Sequence, residues 1–139
     1  MKDEGGGMNY EVSDPGDWVV EEIGRDLRER TKEYALRIIR LYGTLPRTTE
    51  AQVIGKQLLR SRTSVGANYR EAYRARSTAE FIAKCGVSLQ EIEESGYWLE
   101  LLIDAEIVPG SKLTNLQDET NQLLAIFTTM SKKAKSQTS

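Results

Sequence analysis

Four basic residues are spaced so that a single face of a helix would carry them all. At about 100° per residue, positions 56, 60, 70 and 74 fall within an arc of roughly 80°. The residues are Lys56, Arg60, Arg70 and Arg74. A cationic stripe of this kind can bind the phosphates of a nucleic acid. The alternative is a solvated helical face whose charges pair with the acids of a neighbouring helix or subunit.

Two further arginines, Arg62 and Arg76, project close to the apolar face of the same segment, where an unpaired charge is costly. The next segment carries carboxylates on both flanks of its own apolar face: Glu80, Glu91, Glu93, Glu94 and Glu100. We predict that Arg62 or Arg76 pairs with one of these carboxylates in an interhelical contact. A catalytic role for the carboxylates would need a metal or a raised pKa, and the sequence indicates neither.

The absence of histidine excludes several enzyme classes. Without it the chain cannot build a Ser-His-Asp or Cys-His nucleophile, or the Glu-x-x-His pairs of di-iron bundles. The single cysteine, Cys85, gives too few ligands for zinc and no intrachain disulfide. We therefore predict no catalytic residue, no metal, no cofactor and no small-molecule substrate, and we interpret Cys85 as a small core residue.

The composition is that of a soluble globular protein of one domain. The chain has 139 residues, of which 39% are hydrophobic and 29% charged. Its apolar runs are far shorter than the roughly 20 residues of a membrane span. Its start is acidic and rich in glycine, unlike a secretion signal. We expect a cytoplasmic protein with no membrane partner, made of a flexible segment 1–16, a folded domain 17–133 and a frayed tail 134–139.

Charge is strongly segregated along the chain. Residues 47–77 carry seven bases and two acids, whereas residues 78–110 carry one base and seven acids. The net charge of −2 therefore says little about the surface that a partner would meet.

Apolar residues three and four apart predict a first helix from about Asp17, with Asp14 or Asp17 as its N-cap, to the Leu45-Pro46 pair. A second helix should begin at Thr48 or Thr49, where Thr49-x-x-Gln52 has the spacing of a capping box. Its core arc would contain five residues: Ile54, Leu58, Val65, Tyr69 and Ala72. Asn68 lies beside this arc, and we interpret it as fixing helix register.

A second capping box, Ser77-Thr78-Ala79-Glu80, predicts a third helix from about Thr78 to Glu106. One face of this helix is apolar from Phe81 to Ile103, and a second apolar group points away from that face: Val87, Tyr97, Trp98 and Leu101. A helix that is apolar on two sides is either central or covered by another subunit. We predict that this second group forms an oligomer interface. The alternative for its aromatic rings, and for Tyr73, is stacking on nucleic-acid bases.

The break Val108-Pro109-Gly110 precedes a fourth helix, for which Thr114-x-x-Gln117 is a third candidate capping box. Its apolar seam from Leu113 to Met130 alternates steps of three and four. Four amphipathic helices joined by short breaks predict an all-α, antiparallel up-down-up-down four-helix bundle.

The run from Ser64 to Ala72, the Arg76-Ser77-x-x-Glu80-Phe81 motif and the segment 88–93 resemble the signature of a bacterial four-helix-bundle family. Its members include proteins encoded in intervening sequences of 23S ribosomal RNA genes, often called ribosomal-protein-like. The usual proline before the asparagine is Gly66 here, and the usual glycine after the glutamate is Ala72. The resemblance implies a small cytoplasmic bundle that assembles into a ring, commonly described as a pentamer. A strongly basic branch of the family serves diversity-generating retroelements as a nucleic-acid partner, and this acidic chain departs from that branch.

These observations support two hypotheses of different classes. The first is a non-enzymatic, homo-oligomeric four-helix bundle that binds RNA or a ribonucleoprotein through the basic stripe. The alternative is a protein-interaction or scaffold module with no nucleic-acid partner, whose stripe is covered by the acidic faces of neighbouring subunits. An enzyme is a distant third.

Overall fold

Four long helices make up the fold, as the sequence predicts. The computed structural model describes residues 15–137, with side chains described from Leu27 onward. The helices are α1 (Pro15–Thr44), α2 (Thr49–Tyr73), α3 (Thr78–Asp104) and α4 (Thr114–Ser136), with a 3-10 turn at Gly110–Lys112. The all-α four-helix fold class is confirmed. The candidate cap Asp14 and most of the predicted flexible segment 1–16 lie outside the described residues, so those predictions stay open.

The helix starts show which capping predictions hold. Thr48 caps α2, and its hydroxyl accepts a hydrogen bond from the Ala51 N–H at 3.3 Å. Ser77 caps α3 by accepting from the Glu80 N–H at 3.1 Å. The Glu80 carboxylate accepts from the backbone N–H of Arg76 at 3.2 Å, one residue before the Ser77 N–H that a capping box would use, so only the Ser77 half of the predicted box is confirmed.

The other two predicted capping boxes do not form. The side-chain amide of Gln52 donates to the Pro46 carbonyl at 2.9 Å, so it ties α2 to the preceding turn. The N-cap of α4 is Leu113, which has no side-chain hydrogen bond, and the Thr114 hydroxyl donates to the Gly110 carbonyl at 3.2 Å. In both places the preceding turn supplies a partner that the sequence spacing does not reveal.

Contacts between neighbouring helices show how they run. Those between α1 and α2, and between α2 and α3, join residues in opposite order along the two helices: Tyr42 with Gln52, Arg28 with Tyr73, Ser61 with Glu94, Val65 with Ser88, and Glu71 with Lys84. Contacts between α2 and α4 join residues in the same order: Arg62 with Thr120, and Tyr69 with Phe127. Adjacent helices therefore run in opposite directions, as in an up-down bundle.

The core confirms most of the predicted apolar faces. Leu58, Val65, Tyr69 and Ala72 of the predicted α2 arc are buried, as is Cys85 of α3. Two glycines let α1 lie close to α2. A Cβ at Gly55 would lie 2.6 Å from the Leu45 Cδ1 atom, and one at Gly66 would lie 3.2 Å from the Thr31 hydroxyl oxygen. The glycines of α2 thus lower the helix propensity of the segment but allow the close packing.

No helix within residues 15–137 is both long enough and apolar enough to cross a membrane.

Candidate nucleic-acid interface

The basic stripe lies along the outer face of α2. Lys56, Arg60, Arg70 and Arg74 are all exposed, because the opposite side of α2 carries the core residues from Ala51 to Ala72. We use "basic stripe" for these four residues. The helix is continuous through them, so their spacing is set by helix geometry and needs no loop to adjust.

Arg60 differs from the other three cations because acids of α3 contact it. Its guanidinium lies 3.9 Å from a carboxylate oxygen of Glu91 and 3.6 Å from one of Glu94. The Arg60 side chain is still 58% exposed, and solvent-exposed ion pairs with such long N–O distances contribute little to stability. The centre of the stripe is therefore partly neutralised within the chain itself.

The acid at the edge of the stripe, Glu71, interacts mainly with a lysine of α3, and the charge of Arg74 has a smaller effect on its pKa. Glu71 pairs with Lys84 of α3 at 2.6 Å, and the hydrogen bond from Lys84 lowers the pKa of the Glu71 carboxyl. Among the described residues, no carboxylate lies within ion-pair distance of Lys56, Arg70 or Arg74. These three cations can therefore meet an external anion without first breaking a contact.

A shallow groove of about 470 Å³ adjoins the stripe between α1 and α2. Its apolar lining comes from Ile39, Tyr42 and Leu59, and Lys56 and Arg60 stand at its edge. The Ile39 side chain is 47% exposed, and Val53 on the neighbouring surface of α2 is 55% exposed. The periodicity of α1 did not reveal this apolar area, because α1 carries apolar residues beyond the face that packs in the core.

The residues predicted to form an oligomer interface divide into two exposure classes. Val87 and Tyr97 are 40% and 53% exposed, whereas Trp98 and Leu101 are half-buried. The rings of Tyr97 and Trp98 lie 5.1 Å apart, and Trp98 also packs against the core. The Nε1 atom of Trp98 is buried with no hydrogen-bond partner among the described residues. These residues leave an apolar strip on the outer face of α3, and the oligomer interface there stays a prediction.

The prediction that Arg62 or Arg76 pairs with a carboxylate of α3 is wrong. Arg62 is 0% exposed, and its guanidinium carbon stacks 3.4 Å from the centre of the Tyr34 ring. Its Nη2 atom donates to the Thr120 hydroxyl oxygen at 3.3 Å. Arg76 is exposed, and only its backbone N–H contacts Glu80. Arg62 lies too deep on α2 for the flanking acids of α3, and the more exposed Arg60 contacts two of them.

The interior polar cluster around Arg62 also includes the hydroxyl of Tyr34, which is hydrogen-bonded to that of Thr120. Thr120 in turn donates to the Leu116 carbonyl at 2.8 Å. The Nε and Nη1 atoms of Arg62 are buried and have no partner in the described chain. Desolvation therefore lowers the pKa of Arg62 well below its ordinary value. Arg62 is fully buried and Thr120 nearly so, and the cluster is therefore not accessible to a substrate.

Two remaining polar candidates are also structural. Burial raises the pKa of the Cys85 thiol to about 12, so the thiol stays protonated and is a poor nucleophile near neutral pH. The Asn68 amide donates to the Ser64 carbonyl of its own helix at 2.9 Å and makes no interhelical bond to a described residue, contrary to the register role predicted for it. Within the described residues no group of three or more His, Cys, Asp or Glu side chains could hold a metal ion.

Comparison with known proteins identifies a family and a related crystal structure. A family model described as "23S rRNA-intervening sequence protein" matches residues 26–129. A crystal structure of a protein with unknown function, from the S23 ribosomal protein family of Bacteroides thetaiotaomicron VPI-5482, is 36% identical. The match covers 78% of this chain and 97% of that one, with a TM-score of 0.73. None of the curated proteins matches.

Proposed function

Since the chain belongs to the family of 23S rRNA-intervening sequence proteins, we propose that it is a non-enzymatic, homo-oligomeric bundle that binds RNA or a ribonucleoprotein through its basic stripe. The observation that carries the proposal is the exposure of Lys56, Arg70 and Arg74, with no carboxylate of the described chain in contact with them. Cations on one straight helix face can follow a phosphate backbone.

The charges around the stripe support the same proposal. The described α1–α2 region from Leu27 to Ser77 carries twelve bases and four acids. Most acids of the chain's second half lie on α3, on the far side of α2 from α1. The field of the stripe is therefore reinforced from the α1 side and weakened mainly from the α3 side, where Arg60 is already paired.

Alanine substitution in the stripe tests the proposal by fluorescence anisotropy with a labelled single-stranded RNA. We expect the paired variant Arg70→Ala and Arg74→Ala to lose about tenfold or more in affinity at low salt. Arg60→Ala should lose less than Arg70→Ala, because acids of α3 already compete for Arg60.

A matched control removes the same charge elsewhere. Lys112 and Lys132 are exposed and lie outside the stripe, so the pair Lys112→Ala and Lys132→Ala should bind RNA with nearly unchanged affinity. Equal losses in both double variants would show that only net charge matters and would refute the stripe as the contact surface.

A second candidate function is a scaffold in which the stripe faces another copy of this chain. It is favoured by the apolar groove lined by Ile39 and Leu59 beside the stripe, and by the apolar strip on the acidic helix α3. A basic surface with an apolar groove would complement an acidic surface with exposed Val87 and Tyr97. This candidate predicts that the stripe is covered in the assembly and binds no RNA.

Light scattering tests the oligomer separately from RNA. We expect a mass of several chains at micromolar concentration, reduced towards one chain by Tyr97→Asp, because a charge would then be buried against the partner. The control is Ala125→Asp on an exposed position of α4, which should leave the mass unchanged. A monomeric wild-type protein would refute the interface. If the assembly binds no RNA and the variant Lys56→Glu dissociates it, the scaffold would be favoured.

A further inference from the structure

A larger cleft, of about 530 Å³, opens at the end of the bundle where α2 ends, α3 begins and α4 ends. Its floor is apolar, with Phe81 from α3 and Met130 and Ala134 from α4. Arg76 and Lys133 stand at its edge. An apolar pocket with a few charged groups around it has the character of a binding site for a peptide segment.

The charge of this cleft is entirely positive among the described residues. Its lining contains Arg76 and Lys133 and no acid. Neither side chain forms an ion pair within the described part of the chain. The nearest acid of the turn, Glu80, is occupied by the backbone N–H of Arg76. The cleft is therefore suited to an occupant with apolar side chains and a net negative charge.

One segment of this chain starts at the correct end of the bundle. The Arg28 guanidinium stacks 4.6 Å from the Tyr73 ring centre, so α1 passes the end of α2 at Arg28, beside the cleft, and the turns of α1 before Arg28 extend past that end. Pro15 begins α1 and precedes Arg28 by thirteen residues, or about 20 Å of helix. The fourteen residues before Pro15 lie outside the described structure. Fully extended they span up to about 46 Å, which is enough to return to the cleft.

The chemistry of that segment complements the cleft. Residues 1–14 carry one base and four acids, Asp3, Glu4, Glu11 and Asp14. Three apolar residues follow one another at every second position: Met8, Tyr10 and Val12. In an extended chain this spacing places all three on one side, with Glu11 on the other.

We propose that the N-terminal segment of this chain docks in the cleft at the end of its own bundle. Met8, Tyr10 and Val12 face the apolar floor, and the acids lie near Arg76 and Lys133. The docking is independent of RNA binding and of oligomer formation, and its test needs neither.

A paramagnetic label tests the docking in the full-length chain. In a Cys85→Ala background, the variant Gln137→Cys places a nitroxide on the lining of the cleft, and Lys112→Cys places one at the opposite end of the bundle. The amide signals of residues 8–12 should lose more than half of their intensity with the first label and keep it with the second. Equal intensities with both labels would overturn the proposal.

Two controls identify the occupant and its chemistry. Charge reversal by Arg76→Glu with Lys133→Glu should restore the lost intensity, whereas reversal of the exposed Lys56 to glutamate should not. Persistent broadening after the cleft reversal would refute the charge pairing. Broadening that arises only when nitroxide-labelled chains are mixed with isotope-labelled, nitroxide-free chains would show docking on a second copy and would also overturn the proposal.

Discussion

Replacing Arg62 with methionine should stabilise the bundle, although it removes the largest fully buried side chain. Arg62 is 0% exposed, and its two strong contacts are the Tyr34 ring and the Thr120 hydroxyl. Its Nε and Nη1 atoms have no partner in the described chain. Methionine is an unbranched, flexible side chain of similar volume, so the cavity left behind should be small.

The magnitude follows from the groups that are lost. Each buried donor without a partner costs about 1–3 kcal/mol, so the two together cost about 2–6 kcal/mol. Against this, the stacking on Tyr34 contributes about 2 kcal/mol and the hydrogen bond to Thr120 about 1 kcal/mol. At the middle of these ranges the cost exceeds the gain by about 1 kcal/mol, so we expect Arg62→Met to raise the free energy of unfolding by about 1 kcal/mol, in the direction seen when buried charges are replaced by apolar side chains.

Urea unfolding followed by far-UV circular dichroism, at one fixed protein concentration, measures this change. Arg70→Met, an exposed arginine on the same helix, is the control and should change stability by less than about 0.5 kcal/mol. Arg62→Lys should destabilise the protein, because an ammonium group has no planar face to stack on Tyr34. A loss of more than about 1 kcal/mol in Arg62→Met would refute the reasoning, since it would mean that the guanidinium donors are satisfied.

Three further changes test the packing. Gly86→Ala should stabilise α3 by about 1 kcal/mol, because nothing lies within 4 Å of the added Cβ. Gly55→Ala should destabilise α2, because its Cβ would lie 2.6 Å from the Leu45 Cδ1 atom. Unchanged urea midpoints would contradict both predictions. Ser77→Ala should lower stability by about 1 kcal/mol through loss of the cap of α3, which an unaltered unfolding curve would refute. Above about pH 9 the Cys85 thiol ionises in the unfolded chain but stays protonated in the folded chain up to about 12, so wild-type stability should fall with pH more steeply than that of Cys85→Ala. Parallel pH profiles of the two proteins would contradict this.

Helix order and most of the core could be predicted because they depend on periodicity within each segment. Leu58 and Val65 share one helical face whatever lies opposite them. The family resemblance carried by the segment from Ser64 to Ala72 is confirmed by the family match over residues 26–129. The cap at Ser77 could also be predicted, since a side chain and a backbone N–H three residues apart are all that it requires.

Features that depend on two helices could not be predicted. The sequence places Arg62 near the core and several acids on α3, but it does not give the relative rotation of the helices. In the structure that rotation directs Arg60 to Glu94 and Arg62 to Tyr34. Gln52 was misassigned for a similar reason, because its partners Pro46 and Tyr42 lie across a turn. The exposure of the basic stripe could be predicted from its position on the helix face opposite the core, whereas the molecule that binds the stripe could not.

The central claim is that the basic stripe contacts phosphates, and the salt dependence of RNA affinity tests it most directly. For single strands, log K should fall with log salt by about 0.7 for each phosphate contacted. The paired variant Arg70→Ala and Arg74→Ala should therefore have a slope shallower by about 1.4 than the wild type, and the control Lys112→Ala with Lys132→Ala should keep the wild-type slope. Equal slopes for all three proteins, or no detectable RNA binding even at low salt, would contradict the claim.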